Sequence, residues 1–272
     1  MSIFEFKIDG DAFRIDSAQG HDLSIPLRFG EDRLSAFGIG PAESSVVSTP
    51  WFCGDTKRGG SCNVEEYRLI PHCQGTHTEC VGHVVDQDVA INDILRDAWI
   101  PATVLSIRPE LVLQCQDQYA ALTKPDDTLI ARDRLSKALD QFNDTRFHSA
   151  IIIRTLPNPS SKKTEKYDMA PFLSNDAMAK LAGGPIQHLL VDLPSVDRMD
   201  DQGMLSNHRI FWGLATEGHE LETDKPSHRT ITELIYVPNR VTEGYYLLNL
   251  QIPAFVADTA PSRPLIYPLI AQ

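Results

Sequence analysis

Three of the nine histidines, His72, His77 and His83, fall in one short stretch that reads Pro71-His72-Cys73-Gln74-Gly75-Thr76-His77-Thr78-Glu79-Cys80-Val81-Gly82-His83. Imidazole, thiolate and carboxylate are the side chains that bind zinc and similar divalent ions. Nowhere else in the chain are they so dense. On an extended strand, residues two apart share a face. His77 and Glu79 can therefore address one ion, and Cys73 and His83 keep the same parity. A lone His or Glu in such a segment is most often a surface residue or a satisfied core residue, but four candidate ligands on one parity shift the balance towards a cation site. The pair Gly75-Thr76 suits a backbone that bends or approaches a ligand closely. His72 is off parity, and Cys62 and Cys80 read as small buried hydrophobes.

The elements that would position these groups are mostly strands. The apolar runs 102–107 (ATVLSI), 150–153 (AIII), 188–191 (HLLV) and 245–252 (YYLLNLQI) predict strands. A helix is predicted over 132–142, where Leu135, Leu139 and Phe142 recur at helical spacing. A second is predicted after Ser174, which can cap it; Ala177, Met178 and Leu181 form its apolar stripe, and Gly183-Gly184 ends it. The chain is thus α/β or α+β with more strand than helix. No shift of composition marks a boundary, so one domain over 1–272 is expected, with 107–147 a candidate insertion.

The histidine segment resembles the His-x-Gly-Thr-His-x-Asp-x-Pro-x-His signature of the cyclase family, which includes bacterial kynurenine formamidases and isatin hydrolases. Further similarities occur in family order. Asp22-Leu23-Ser24-Ile25-Pro26-Leu27 resembles its Asp-Leu-Ser start, and Trp51-Phe52-Cys53-Gly54-Asp55 its Trp-Pro-Gly-Asp turn. Ile152-Ile153-Arg154-Thr155 is similar to its apolar strand ending in Arg-Thr-Gly, and Asp192-Leu193-Pro194-Ser195-Val196-Asp197 to its Asp-x-Pro-Ser-x-Asp. His208 and Glu233-Leu234 follow at the spacing of the family's later His and its Glu-Asn-Leu. The resemblance implies the swivelling β/β/α fold, a central mixed sheet or distorted barrel flanked by helices, in dimers or higher homo-oligomers. It implies hydrolysis of a carbon–nitrogen bond in a small-molecule amide or cyclic amide, with one or two divalent ions per subunit. Positions 73, 77 and 79 would hold the first ion, and Glu79 would bridge to a second held by His208 and Glu233. His83 would be the general acid/base, and Trp51 and Asp55 would shape the substrate-binding mouth.

The departures from the family pattern all lie at the site. Cys73 stands where the first His is expected, Glu79 replaces Asp and Val81 replaces Pro, which loosens the loop presenting His83. A thiolate ligand favours zinc over manganese. A bulge could equally bring His72 into the vacancy. The altered segment could also mark a ligand-binding, inactive paralogue, or a site where Cys73 or Cys80 acts as nucleophile with His77 or His83 as base.

Bulk properties exclude other classes. A net charge of −12 is the wrong sign for nucleic acid or an anionic membrane. The three lysines of 160–166 read as a solvated loop. No apolar run approaches the ~20 residues of a membrane span, and the start lacks a signal-peptide layout. Five cysteines without a repeated spacing fit a reducing compartment, so a cytoplasmic location is expected.

Overall fold

The computed structural model describes residues 2–31, 34–221 and 227–270. Nine strands form its main sheet: β1 (His21–Asp22), β2 (His77–Glu79), β3 (Trp99–Ile107), β4 (Ala150–Thr155), β5 (His188–Val191), β6 (Thr230–Glu233), β7 (Gly244–Asn249), β8 (Thr259–Pro261) and β9 (Leu265–Pro268). They lie in the order β8-β2-β6-β5-β4-β3-β7-β9-β1. The central block β3-β4-β5-β6 is parallel, and the strands outside it pair antiparallel. Parallel neighbours need a crossover. Three helices supply them: α3 (Arg132–Leu139), α4 (Asn175–Ala182) and α5 (Ser206–Trp212). Two single-turn helices, α1 (Pro71–Gln74) and α2 (Ile91–Ile94), lie on either side of β2 in the chain. The fold is a mixed α+β arrangement around one large curled sheet, as the resemblance implied.

Strands covered on both faces read as continuous apolar runs, and β4 shows why. Its Ile151 and Ile153 pack with Leu189, Val191 and Ile231 under Leu135, Met178, Leu181 and Phe211 of the helices. Its Ala150 and Ile152 face the opposite way, towards Val104, Tyr246, Leu248 and Ile266. Each such isoleucine contributes about 1.5–3 kcal/mol through burial.

Strand β5 coincides with the predicted 188–191, and Ser174 caps α4 by accepting from Ala177 N. Other limits differ. Strand β3 begins three residues early, through Pro101, because the parallel pairing with β4 starts only at Ala102 and the missing N–H costs no bond on that side. Helix α3 stops at Leu139, and Phe142 follows in a turn, its N–H on Leu139 O. Strand β7 ends at Asn249 rather than 252. Residues 107–147 include a small sheet in which Glu110–Leu111 and Thr128–Ile130 join Phe172–Leu173. No helix of the described residues is long and apolar enough to cross a membrane, and all five cysteines are free.

A candidate metal centre at the edge of the parallel block

Strand β2 pairs antiparallel with β6 on one side and β8 on the other, which sets His77 opposite both Glu233 and Pro261. Alternation sorts the side chains. Thr78 and Thr232 point to one face and hydrogen-bond each other at 2.8 Å. His77, Glu79 and Glu233 share the other face, with their ligand atoms within 4.8 Å of one another. The strand parity read from the sequence therefore holds for residues 77 and 79 but extends no further. Cys73 lies on helix α1, and His83 ends the 3-10 turn Val81–His83.

That turn depends on Gly82, where a Cβ would lie 2.1 Å from Val89 O. Val81 does not loosen it. Its side chain is fully buried in the helix-side core, and its carbonyl accepts from Val84 N and Val85 N. Helix α5 delivers His208, and the loop after β5 delivers Asp197. Leu205 before α5 (φ 46°) and Leu234 after Glu233 (φ 54°) both take left-handed backbone. Strain of this kind persists only where surrounding contacts over-determine it.

Three imidazoles are oriented the same way. His77 Nδ1 lies 3.0 Å from Gly75 O, His208 Nδ1 2.6 Å from Asp197 Oδ2, and His83 Nδ1 3.2 Å from Asp258 Oδ2. With Nδ1–H donated in each case, Nε2 is the remaining position of each ring, able to bind a cation or, as in the 2.8 Å His208–Glu79 contact, to carry a proton, and it turns towards the carboxylates. His77 Nε2 is 3.6 Å from Glu233 Oε2, His208 Nε2 is 2.8 Å from Glu79 Oε1 and 3.7 Å from Glu233 Oε1, and His83 Nε2 is 3.9 Å from Glu79 Oε2. Glu233 Oε1 is fixed by Val196 N at 2.7 Å.

Most of these Nε2–carboxylate gaps are too long for good hydrogen bonds. They suit donors that share one ion, since tetrahedral ligands about 2.0–2.1 Å from a cation sit about 3.3 Å apart. His77 Nε2 and Glu79 Oε2 are buried without a hydrogen-bond partner. Orphaned lone pairs facing buried carboxylates fit a divalent cation, and Nδ1 anchoring is the usual support of histidine ligands.

The electrostatics agree. Burial alone would raise the Glu79 carboxyl, but the charges of His83 and His208 and the hydrogen bond from His208 hold it well below the usual carboxylate range. Burial would likewise push His208 down. The Glu79 charge and the Asp197 hydrogen bond lift it well above its ordinary value instead. His77 is raised against burial by the Glu233 carboxylate beside it and by the Glu79 charge. Two buried carboxylates thus draw positive charge into the cluster, as protons or as a cation.

Of the residues singled out from the sequence, His77, Glu79, His83, His208 and Glu233 are brought together. Cys73 is buried beside them, its thiol raised by burial and by the Glu233 charge, but it joins none of the ligand trios found among the described residues. His72 does. Its Nε2 lies 3.5 Å from Glu79 Oε2 and 3.1 Å from Asp258 Oδ2. Both residues lie on the helical turn of α1, not on a strand. Burial pushes the Cys80 thiol up to about 12, which suppresses the thiolate a nucleophile needs.

Trp51 is 90% exposed at a hairpin tip, and Asp55 caps a local turn by accepting from Lys57 N. Asp258 was not anticipated, and Asp197 was seen only as part of a motif. Tyr119, from the 107–147 segment, also reaches the site's support: its hydroxyl donates to Asp197 Oδ1 at 2.9 Å and accepts from Arg198 N at 2.8 Å.

Comparison with known proteins agrees with this picture. The sequence model of the Cyclase family matches residues 21–198. A kynurenine formamidase of Bacillus cytotoxicus is 24% identical over 78% of this chain and 84% of its own length. The chain spans only about half the length of the other curated relatives it matches, also Bacillus kynurenine formamidases. Among solved structures, a potential metal-dependent hydrolase with cyclase activity superposes with a TM-score of 0.56 at 16% identity, covering 92% of this chain and 98% of that one. Isatin hydrolase A from Labrenzia aggregata superposes with a TM-score of 0.57 at 13% identity, covering 91% and 93%. At such identities the superpositions speak for the fold. With the family model spanning well over half of the sequence, including the histidine segment and the Asp192–Asp197 motif, the chain belongs to the cyclase family.

Proposed function

We propose that this protein is a metal-dependent hydrolase that cleaves the carbon–nitrogen bond of a small-molecule amide or cyclic amide. The carrying observation is the convergence of the Nε2 atoms of His77, His83 and His208 on Glu79 and Glu233, each ring anchored at Nδ1. The names of the relatives, kynurenine formamidase and isatin hydrolase, support the choice of bond.

In this reading His77, Glu79, Glu233 and His208 hold the cation, and His72 is the better placed of the two candidates for a further ligand. When bound, the cation supplies a Lewis acid for the amide carbonyl and lowers the pKa of water. His83 Nε2 accepts the proton of the attacking water and returns it to the leaving nitrogen. Glu79 sits beside His77 and Glu233 on one side and 2.8 Å from His208 on the other, so it would be the shared carboxylate if two ions bound. Nitrogen and oxygen donors accept zinc and also manganese. Trp51 and Asp55 would act from outside the cluster, on the substrate face.

The test is hydrolysis of a panel of N-formyl aromatic amines, aryl amides and lactams by zinc- or manganese-loaded protein. Turnover should vanish on chelation and return with metal. His83→Ala should abolish it with the metal retained. A loaded protein inert across the panel would leave the ligand-binding reading in its place.

A further inference from the structure

Asp258 stands at the entrance to the cluster and has no place in the ligand set just described. It precedes β8, and main-chain pairing fixes it: Cys80 N donates to Asp258 O at 3.0 Å, and Thr259 Oγ1 donates to Thr78 O at 3.1 Å. The edge strand thus locks Asp258 to the strand carrying His77 and Glu79. One carboxylate oxygen, Oδ2, faces two imidazoles, His83 at Nδ1 (3.2 Å) and His72 at Nε2 (3.1 Å). The His72 ring stacks on that of His83, with centroids 4.4 Å apart and planes at 26°. His83 is therefore held by its edge and by its face.

We infer that Asp258 is a positioning residue for His83: it accepts the hydrogen bond from Nδ1–H, fixes the ring, and keeps the Nε2 lone pair aimed at the reaction centre. The inference rests on the hydrolase reading for its catalytic consequence. The two ring nitrogens of histidine are not equivalent, and the hydrogen bond at one decides what the other can do. Without a constraint, a neutral histidine in water carries its proton mostly on Nε2. That tautomer would present N–H instead of a lone pair to the attacking water. With Asp258 in place, the proton of that water passes to Nε2 while Nδ1–H stays on the ring, hydrogen-bonded to Asp258. The same proton leaves Nε2 for the amide nitrogen when the carbon–nitrogen bond breaks, so His83 ends as it began.

The test uses the metal-loaded full chain with Asp258→Ala and the near-isosteric Asp258→Asn. Long-range 1H–15N spectra of the imidazoles should show His83 protonated on Nδ1 in the wild type. They should show it shifted towards Nε2–H in both variants, because the Asn amide can donate to Nδ1. With an amide that the wild type hydrolyses, kcat should fall roughly 10- to 100-fold, a part of the usual contribution of acid–base catalysis. KM should stay within about twofold, and cation content should be unchanged. A wild-type His83 carrying its proton on Nε2 would overturn the inference. So would an Asp258→Asn protein that keeps both tautomer and kcat, or variants that lose the cation, which would make Asp258 a ligand. If the wild type hydrolyses no amide at all, the hydrolase reading fails, while the tautomer spectra still decide whether Asp258 orients His83.

Discussion

Replacing Lys162 with methionine removes a charge that only the folded chain reveals as buried. Lys162 Nζ lies 2.7 Å from Asp192 Oδ2, 2.7 Å from Thr155 Oγ1 and 2.9 Å from Thr155 O. The Asp192 side chain is fully buried, and that of Lys162 is 13% exposed. Burial raises the Asp192 carboxyl, and the Lys162 charge and hydrogen bond are the first forces opposing it. Without Lys162, the carboxylate keeps, among the described residues, the Thr155 N–H and hydroxyl as donors. Breaking a buried pair from one side costs about 3–5 kcal/mol, against about 0–1 kcal/mol for a surface pair. For a chain of this length the unfolding entropy is about 0.6 kcal/mol/K, so Tm should fall by about 5–8 °C.

Urea denaturation read by two spectroscopic probes measures the loss, with an unchanged slope showing that the unfolded state is comparable. The double variant Lys162→Met with Asp192→Asn removes both charges and should recover most of the stability. A single-variant loss below about 1 kcal/mol, or a double variant as unstable as the single, would refute the reasoning. The consequence reaches the site as well. Asp192 opens the loop whose Val196 N holds Glu233 and whose Asp197 holds His208.

Two further predictions concern the same support. Asp197→Asn removes the carboxylate behind His208 Nδ1 and should weaken cation binding about 10- to 100-fold in a competition titration; unchanged affinity would place His208 outside the ligand set. Burial lowers the His188 pKa to about 4, with the Asp97 charge opposing slightly, so the folded state binds fewer protons than the unfolded one below the ordinary value near 6.5. Its contribution, about 3 kcal/mol, is present above that value and lost as pH falls towards 4. Denaturation of metal-loaded His188→Gln should show a flatter decline over that window, and an identical decline would exclude His188 as its source.

The parallel core was legible because burial on both faces leaves uninterrupted runs such as Ala150-Ile151-Ile152-Ile153 and His188-Leu189-Leu190-Val191. Strand β6 was not, since Thr230-Ile231-Thr232-Glu233 spends positions on a hydroxyl pair and a buried carboxylate, neither of which looks like core. The histidine segment pointed to a candidate cation site by composition, and the resemblance to the cyclase family supplied its distant partners His208 and Glu233. Local geometry then decided the rest: α1 presents His72 where strand parity pointed to Cys73, and the 3-10 turn delivers His83 through Gly82. Lys162 read as a solvated lysine because nothing near it in sequence names its partner thirty residues away. Asp258 lies still farther from His83 along the chain, and only the pairing of β8 with β2 brings them together.

Elemental analysis of protein purified without chelator, then incubated with zinc or manganese and desalted, addresses the central claim most directly. Between one and two equivalents per chain are expected in the wild type. The fraction should drop sharply in His77→Ala and in Glu79→Gln, which remove a buried lone pair and the shared carboxylate. Zero occupancy in the wild type after incubation with both metals, or full occupancy in both variants, would contradict a metal centre built on this cluster.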